Sequence, residues 1–306
     1  MKPDSRPAGR RSPLIFGAIW LAALFHFCST SHAAVSAVDD AGNTIELVAP
    51  ARRIISLAPH TTELLFAAGA GKQLVGVSEY SDFPTEARQI ASVGNSTQLD
   101  LERIVRLKPD LVVAWQSGNS ARQLARLKAL GIAVFASEPR KLEDIASSIE
   151  RLAALSGSQQ QGEQSASAFR QQLQTLRNRY AGRATVSVFY QIWPSPLMTL
   201  NQSHLVSQAL SLCGAGNIFA MLPQLVPTVS IEAVVKANPE VIFISDEKST
   251  SRAMWQRFPT LTAVKQHNLL AINGTLMNRA SPRILIGAAD LCEQLEQARQ
   301  RRPIRP

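Results

Sequence analysis

This chain has no apolar run long enough to cross a membrane as a helix, which takes about 20 residues. Its longest, residues 14–25, stops well short of that. It is poor in cysteine, with three in all, and neither Cys213 nor Cys292 has a His or a second Cys at zinc-ligand spacing. Charged residues make up 18% and aromatics 6% of the chain. No dense Lys/Arg tract interleaved with aromatics occurs in it, so nucleic-acid binding is not expected. Also missing are a nucleophile elbow, a phosphate-cradling Gly loop and a His pair on one helix turn. Glu63, Asp82 and Asp246 are acid–base candidates without any of these motifs beside them, so the chain is not expected to be an enzyme.

What is there begins with a segment to set aside. Residues 1–33 read as a secretory signal peptide: Arg10-Arg11, then the apolar stretch, then a small-residue site ending at Ser31-His-Ala33. Phe27 before Cys28 is too bulky for the usual lipid-attachment motif, so an anchor at Cys28 is not expected. Removing the segment takes four basic residues and one acid from the chain's 32 and 23, leaving 28 against 22, a net charge of +6. Cys213 and Cys292 remain, and in an oxidising compartment two cysteines read as one disulfide within the second half. Two buried free thiols are the alternative.

The strongest internal signal is a repetition. Leu101-Glu-Arg-Ile-Val-Arg-Leu-Lys-Pro-Asp-Leu-Val-Val-Ala-Trp115 returns 130 positions later as Ile231-Glu-Ala-Val-Val-Lys-Ala-Asn-Pro-Glu-Val-Ile-Phe-Ile-Ser245. Each copy reads as a short amphipathic helix, a Pro stop, an acid and an apolar strand. One repetition at that distance means two similar α/β lobes in one chain rather than a solenoid. Strands alternate with helices on both sides of a stretch, residues 142–180, that keeps helical spacing without a strand-like run, with Ser156-Gly-Ser158 marking a kink or break. The expected fold is therefore α/β: an N-terminal lobe over 34–141 and a C-terminal lobe over 183–306, each with a parallel sheet flanked by helices. A long backbone helix over 142–182 joins them. Two facing lobes leave a cleft for a small ligand.

The residues also resemble a known family. Arg53-Ile-Ile-Ser-Leu-Ala-Pro-His-Thr-Thr-Glu63, Gly76-Val-Ser-Glu-Tyr-Ser-Asp82, Leu101-Glu-Arg-Ile-Val105, Lys108-Pro-Asp-Leu-Val112, Cys213-Gly and Arg279-Ala-Ser-Pro-Arg283 are similar to the periplasmic cobalamin-binding proteins of ABC importers. The resemblance runs across nearly all of residues 52–295. It implies a periplasmic, monomeric carrier that delivers cobalamin or a related corrinoid to a membrane permease with its cytoplasmic ATPase. No cofactor or metal of its own is implied. The wider class also contains haem, ferric siderophore and metal-ion carriers, which supply the alternative reading. Through the resemblance, Tyr80 and Trp115 are the ring-contacting aromatics, and Asn278 and Arg279 lie in a ligand-contacting loop of the second lobe. Glu102 and Glu232 are the acids that dock on the permease, and Cys213 and Cys292 are the family's disulfide pair.

The chain departs from the family's pattern at several places. Gly94-Asn-Ser-Thr97 and Val226 stand where tryptophans are usual, and Met198 replaces a loop aromatic, with Trp193 nearby to fill the pocket. Trp193 and Met198 are accordingly expected among the ligand contacts. For a metal or haem-iron reading, His60 and His204 are the candidate ligands, each at the edge of the cleft in its own lobe.

Overall fold

The computed structural model describes Met1, residues 34–245 and residues 249–303. The signal segment expected over residues 1–33, apart from Met1, and the acid Asp246 lie outside the described residues. Strands β1 (Val35–Val38) and β2 (Thr44–Leu47) pair antiparallel, as the turn residues between them suggest. In that turn the Asp39 carboxylate accepts the backbone N–H groups of Ala41 and Asn43.

The first lobe is then built from β3 (Ile54–Ser56), α1 (Pro59–Ala67), β4 (Leu74–Val77), α2 (Leu101–Arg106), β5 (Leu111–Trp115), α3 (Ala121–Ala129) and β6 (Ala133–Ser137). Its sheet runs β4-β3-β5-β6, every pair parallel. Strands covered on both faces read as continuous apolar runs, because neither side meets water. In β5, Leu111 and Val113 pack into the cluster that holds α1, while Val112 and Ala114 pack against α2 and α3.

The connection between the lobes is helical, and the break suggested at Ser156-Gly-Ser158 is a full reversal. Helix α4 (Leu142–Ser156) ends at Gly157, whose φ of +71° is the left-handed value that glycine reaches without a Cβ clash. Helix α5 (Gln159–Tyr180) then runs back along α4, and ion pairs Glu150–Arg170 and Glu143–Arg177 fix the antiparallel register. At 22 residues α5 is about 33 Å long at 1.5 Å per residue. Its Phe169 and Leu173 lie in the first lobe's core and its Tyr180 in the second's, so this one helix threads both.

The second lobe repeats the plan. Strand β7 (Val186–Gln191) is followed by a small hairpin, β8 (Trp193–Pro194) with β9 (Leu197–Met198), in the Pro-rich segment Trp193-Pro-Ser-Pro196. Then come α6 (Leu205–Leu212), β10 (Ala215–Asn217), α7 (Ile231–Ala237), β11 (Val241–Ile244), α8 (Ser249–Gln256), α9 (Thr262–Lys265), β12 (Leu269–Ala271), α10 (Gly274–Met277) and α11 (Ile284–Gln300). The sheet order is β10-β7-β11-β12, again all parallel and again second strand, first, third, fourth. The repeated sequence occupies the same place in both lobes: α2 with β5, and α7 with β11. Cys213, capping α6, and Cys292, inside α11, are joined in a disulfide with Cα atoms 4.9 Å apart, the pairing expected.

Candidate functional site

In a parallel sheet of this strand order, the chain departs in opposite directions from the first and third strands. Ligands sit in the crevice outside the carboxyl ends of those two strands. In the first lobe they are β3 and β5, and the residues beyond them are His60 and Trp115. Trp115 is half-buried, and the His60 ring meets it edge-on with centroids 5.6 Å apart. Gly118 makes room for the indole: a Cβ there would lie 1.9 Å from Trp115 Cε3. Asn119 locks the two strand ends together. Its Oδ1 accepts the Trp115 N–H at 2.7 Å, and its Nδ2 donates to the carbonyls of Leu57 at 3.1 Å and Ser96 at 3.2 Å.

His60 is not an open ligand. Its side chain is buried and Nε2 has no hydrogen-bond partner. Burial drives its pKa down to about 4, with the Glu63 charge pulling it up and Arg279 pushing it further down. The imidazole stands at 87° to the Trp115 ring. His204 also has a local duty: its Nδ1 accepts the Val206 N–H at 3.2 Å and caps α6, and burial lowers its pKa to about 4. Among the described residues no three His, Cys, Asp or Glu side chains gather to hold a metal ion.

Tyr80, after β4, is 77% exposed with a φ of +64°, a left-handed value uncommon outside glycine. A non-glycine residue keeps such a conformation only where its surroundings hold it there. Buried hydroxyls do so from below. Ser56 Oγ bonds both Thr61 and Thr62 at 2.7 Å, Thr62 donates to Ser81 at 3.0 Å, and Ser81 shares a 3.3 Å bond with Ser78. From the other lobe, Arg279 Nη2 donates to the Tyr80 carbonyl at 3.1 Å.

Arg279 belongs to a cross-lobe cluster centred on Glu63 of α1. The Glu63 side chain is 2% exposed. It accepts Arg283 Nε at 2.9 Å and Nη2 at 2.5 Å, Arg279 Nη1 at 3.0 Å and the Ser281 hydroxyl at 2.6 Å. Arg279 Nη1 also donates to Asp82 at 2.6 Å, and the Arg283 guanidinium lies 3.9 Å over the Phe83 ring. Partial burial raises the Asp82 pKa, but its bond to Arg279 and the charges of both arginines outweigh that and hold it below the usual carboxylate range. Sequence reasoning missed Glu63 in this role; the signal available was an acid in an apolar helix turn, Thr62-Glu-Leu-Leu65.

On the second lobe Trp193 is 51% exposed, its Nε1 donating to the Ser195 carbonyl at 3.0 Å. Met198 faces it across the hairpin. Asn278 is exposed, and its Oδ1 accepts the Tyr190 hydroxyl at 3.3 Å. The anticipated ligand residues therefore fall into local groups: Trp115 with His60, Tyr80 with Arg279, Trp193 with Met198, and Asn278 on Tyr190. Glu102 and Glu232 are exposed on the first turns of α2 and α7, one per lobe, behind the caps Asp100 and Ser230. The backbone N–H of Glu232 and the Ser230 hydroxyl hold the Glu232 carboxyl below the usual range.

Comparison with known proteins gives a consistent set of relatives. The sequence profile described as periplasmic binding protein matches residues 54–274. The vitamin B12-binding protein of Vibrio cholerae serotype O1 is 42% identical over 252 residues, covering 82% of this chain and 91% of that protein. The crystal structure of the periplasmic vitamin B12-binding protein of Vibrio cholerae superposes with a TM-score of 0.78 at 42% identity, covering 82% of this chain and 99% of that one. A periplasmic haem-binding protein in complex with two haems shares the fold, with a TM-score of 0.73 at 21% identity over 80% of this chain and 98% of that one.

Two measurements check this geometry. Glu63→Gln leaves two arginines facing a neutral amide. Urea denaturation should report a loss of roughly 2 to 3 kcal/mol, below that for a fully buried pair because the guanidiniums keep some solvent. An unchanged midpoint would mean that the cluster adds nothing to stability. The second concerns pH. The unfolded chain protonates His60 and His204 near pH 6.5, whereas the folded chain resists down to about 4. Their contribution is full above pH 6.5 and is lost as the pH falls towards 4. Stability should drop by about 2 to 3 kcal/mol per histidine between pH 7 and 4.5. His60→Gln should flatten the slope by about half; an unaltered slope would contradict the role given to its burial.

Proposed function

The chain belongs to the periplasmic binding protein family, and we propose that it carries cobalamin or a related corrinoid in the cleft between its lobes and delivers it to a membrane ABC importer. The observation that carries this reading is the 42% identity, over 82% of the chain, to a protein named for binding vitamin B12. The exposed faces of Tyr80, Trp115 and Trp193 suit a large flat macrocycle, since aromatic rings gain from both stacking and apolar burial. Met198 adds a polarizable apolar surface beside Trp193. Asn278 offers an amide to the corrin's amide side chains, and Arg279, held by Glu63 and Asp82, fixes the Tyr80 loop in reach of the ring.

In this reading the protein is a monomer secreted by its N-terminal signal, with lobes over 34–141 and 183–306 and a connector over 142–182. It performs no turnover of its own. Glu102 and Glu232, at matching places of the repeat, set its orientation on the two subunits of the permease, whose cytoplasmic ATPase drives release. Haem, a ferric siderophore or a metal ion is the second reading, on the strength of the fold shared with a haem carrier. His60 and His204 give that reading little, since His60 is buried against Trp115 and half-buried His204 caps α6 through its Nδ1.

Calorimetric titration of the signal-free protein with cyanocobalamin, haem and ferric siderophores tests the ligand. We expect one-to-one submicromolar binding of cyanocobalamin, weakened about tenfold by Trp115→Ala through lost stacking and burial. Silence with cobalamin and a response to haem would transfer the site to the second reading. For docking, Glu102→Ala with Glu232→Ala should abolish uptake while leaving ligand affinity alone. Uptake at the parental rate would remove both acids from that role.

A further inference from the structure

The outer face of the first lobe carries a positive patch that ligand binding does not use. Helices α2 and α3 lie side by side on one face of the sheet, sharing a core through Leu101, Ile104, Leu124 and Leu127. The Gln123 amide ties them further, donating to the Leu99 carbonyl at 3.2 Å and accepting the Leu99 N–H at 3.3 Å. Their solvent side exposes Arg103, Arg106, Lys108, Arg122, Arg126 and Lys128. Among the described residues no acid pairs with any of these six. Elsewhere Arg151, Arg170, Arg177, Arg279, Arg283, Arg299 and Arg302 sit on carboxylates, while Lys236, Arg257 and Lys265 form no ion pair among the described residues but are not gathered on one acid-poor helix pair. From residue 111 to residue 137 the chain has no acid at all, and on the two helices Glu102 is the only one.

Helix electrostatics explains part of this set. A cation near a helix C-terminus is favoured by the macrodipole, which suits Arg103, Arg106, Arg126 and Lys128. Arg122 stands in the first turn of α3, where the same dipole disfavours it. The repeat sharpens the point. The positions of Arg103, Arg106 and Lys108 are Ala233, Lys236 and Asn238 in the second lobe, so the glutamate recurs while two of the three cations do not. Docking of Glu102 cannot call for them either, because a pocket that receives a carboxylate is itself basic and repels neighbouring cations.

We propose that this face, the flank of the lobe that runs from Glu102 away from the cleft, binds the anionic phospholipid surface of the membrane. The Asp100 N–H donates to the Val93 carbonyl, and the Val93 N–H donates to the carbonyl of Val77 at the carboxyl end of β4, so α2 starts at the cleft end of the sheet. The cations in the last turns of α2 and α3 lie towards the opposite end, where Leu111 pairs with Ile54 and Ala133, so a lobe that rests on this flank sets both helices against the lipid. Cations near an anionic leaflet each strengthen binding about fivefold, and the attraction is screened by salt.

The test needs no permease, so it stands or falls apart from the docking assignment. Signal-free protein is sedimented with vesicles of phosphatidylcholine containing about one-third phosphatidylglycerol, and with vesicles of phosphatidylcholine alone. Binding should appear only with the anionic vesicles and vanish as salt rises from about 0.05 M to about 0.5 M. The variant R103Q/R106Q/R122Q/R126Q should lose at least about tenfold in partitioning, with cyanocobalamin affinity and thermal melting kept as evidence of an intact fold. A second variant of equal charge change on the other lobe, K236Q/R252Q/R257Q/K265Q, should partition as the parent does. Equal binding to neutral vesicles, parental binding by the first variant, or equal loss in the second would each overturn the assignment.

Discussion

The arrangement depends on a carboxylate that could not be buried alone. Removing an ionised glutamate from water is strongly unfavourable unless cations and hydrogen bonds replace the solvent. For Glu63 every replacement comes from the other lobe: Arg279, Ser281 and Arg283 lie 216 to 220 residues further along the chain. The lobes cannot separate at this point without either hydrating the cluster or leaving charges unpaired. The same arginines reach past Glu63 to Asp82, to the Tyr80 carbonyl and over the Phe83 ring. The exposed tyrosine and the joint between the lobes are therefore one structure, and a ligand that disturbs one disturbs the other.

A neutral counterpart stands on the opposite side of the pseudo-symmetric pair. Helix α6 follows the first strand of its sheet as α1 follows β3, and its Gln208 reaches across the joint in the other direction. Gln208 Oε1 accepts the Leu142 N–H at 3.2 Å, and Nε2 donates to the Arg140 carbonyl at 2.6 Å. Each lobe's first helix thus grips the segment that leads into the helix crossing from its partner, α4 in one case and α11 in the other. Apolar packing follows suit: Leu205, Ile284 and Leu285 of the second half sit in the first lobe's core. With α5 running through both cores as well, wide hinge opening would expose apolar surface at three places together. The motion left to such a molecule on binding is small tilting of the lobes rather than hinge closure.

The fold was largely legible because its signals are local. The alternation of apolar strands with amphipathic helices, the duplicated Pro-Asp and Pro-Glu junctions and the Ser156-Gly-Ser158 break each act within a few residues. The β8–β9 hairpin and the short helices α9 and α10 were not legible, since two to four residues show no periodicity. The site divides the same way. The placing of Trp115 at a strand end and of the two glutamates in first helical turns follows from pattern, while the roles expected of them rest on the family resemblance. The partnership of Glu63 with Arg279 and Arg283 does not, because nothing within either segment refers to the other. Asn119 is intermediate: an Asn after Gly118 suggests a turn, but its bonds to Leu57 and Ser96 depend on tertiary closure.

The two copies of the repeat show which features a duplicated element must keep. Both retain a side-chain cap, a glutamate in the first turn, a buried residue at its centre, Ile104 or Val234, and a fully apolar strand in the third place of the sheet. The cap satisfies free N–H groups, and the glutamate gains from the helix dipole, so both would recur in any helix that starts there. Local stability therefore does not distinguish a docking acid from an ordinary first-turn acid. What the two share beyond that is position: each helix opens at the carboxyl end of its sheet, one carboxylate on each lobe. Elsewhere on these elements the copies have diverged, in the cations of α2 and in Trp115 against Ser245. The lobes share a frame and an acid, while their aromatic and basic surfaces are specific to one side.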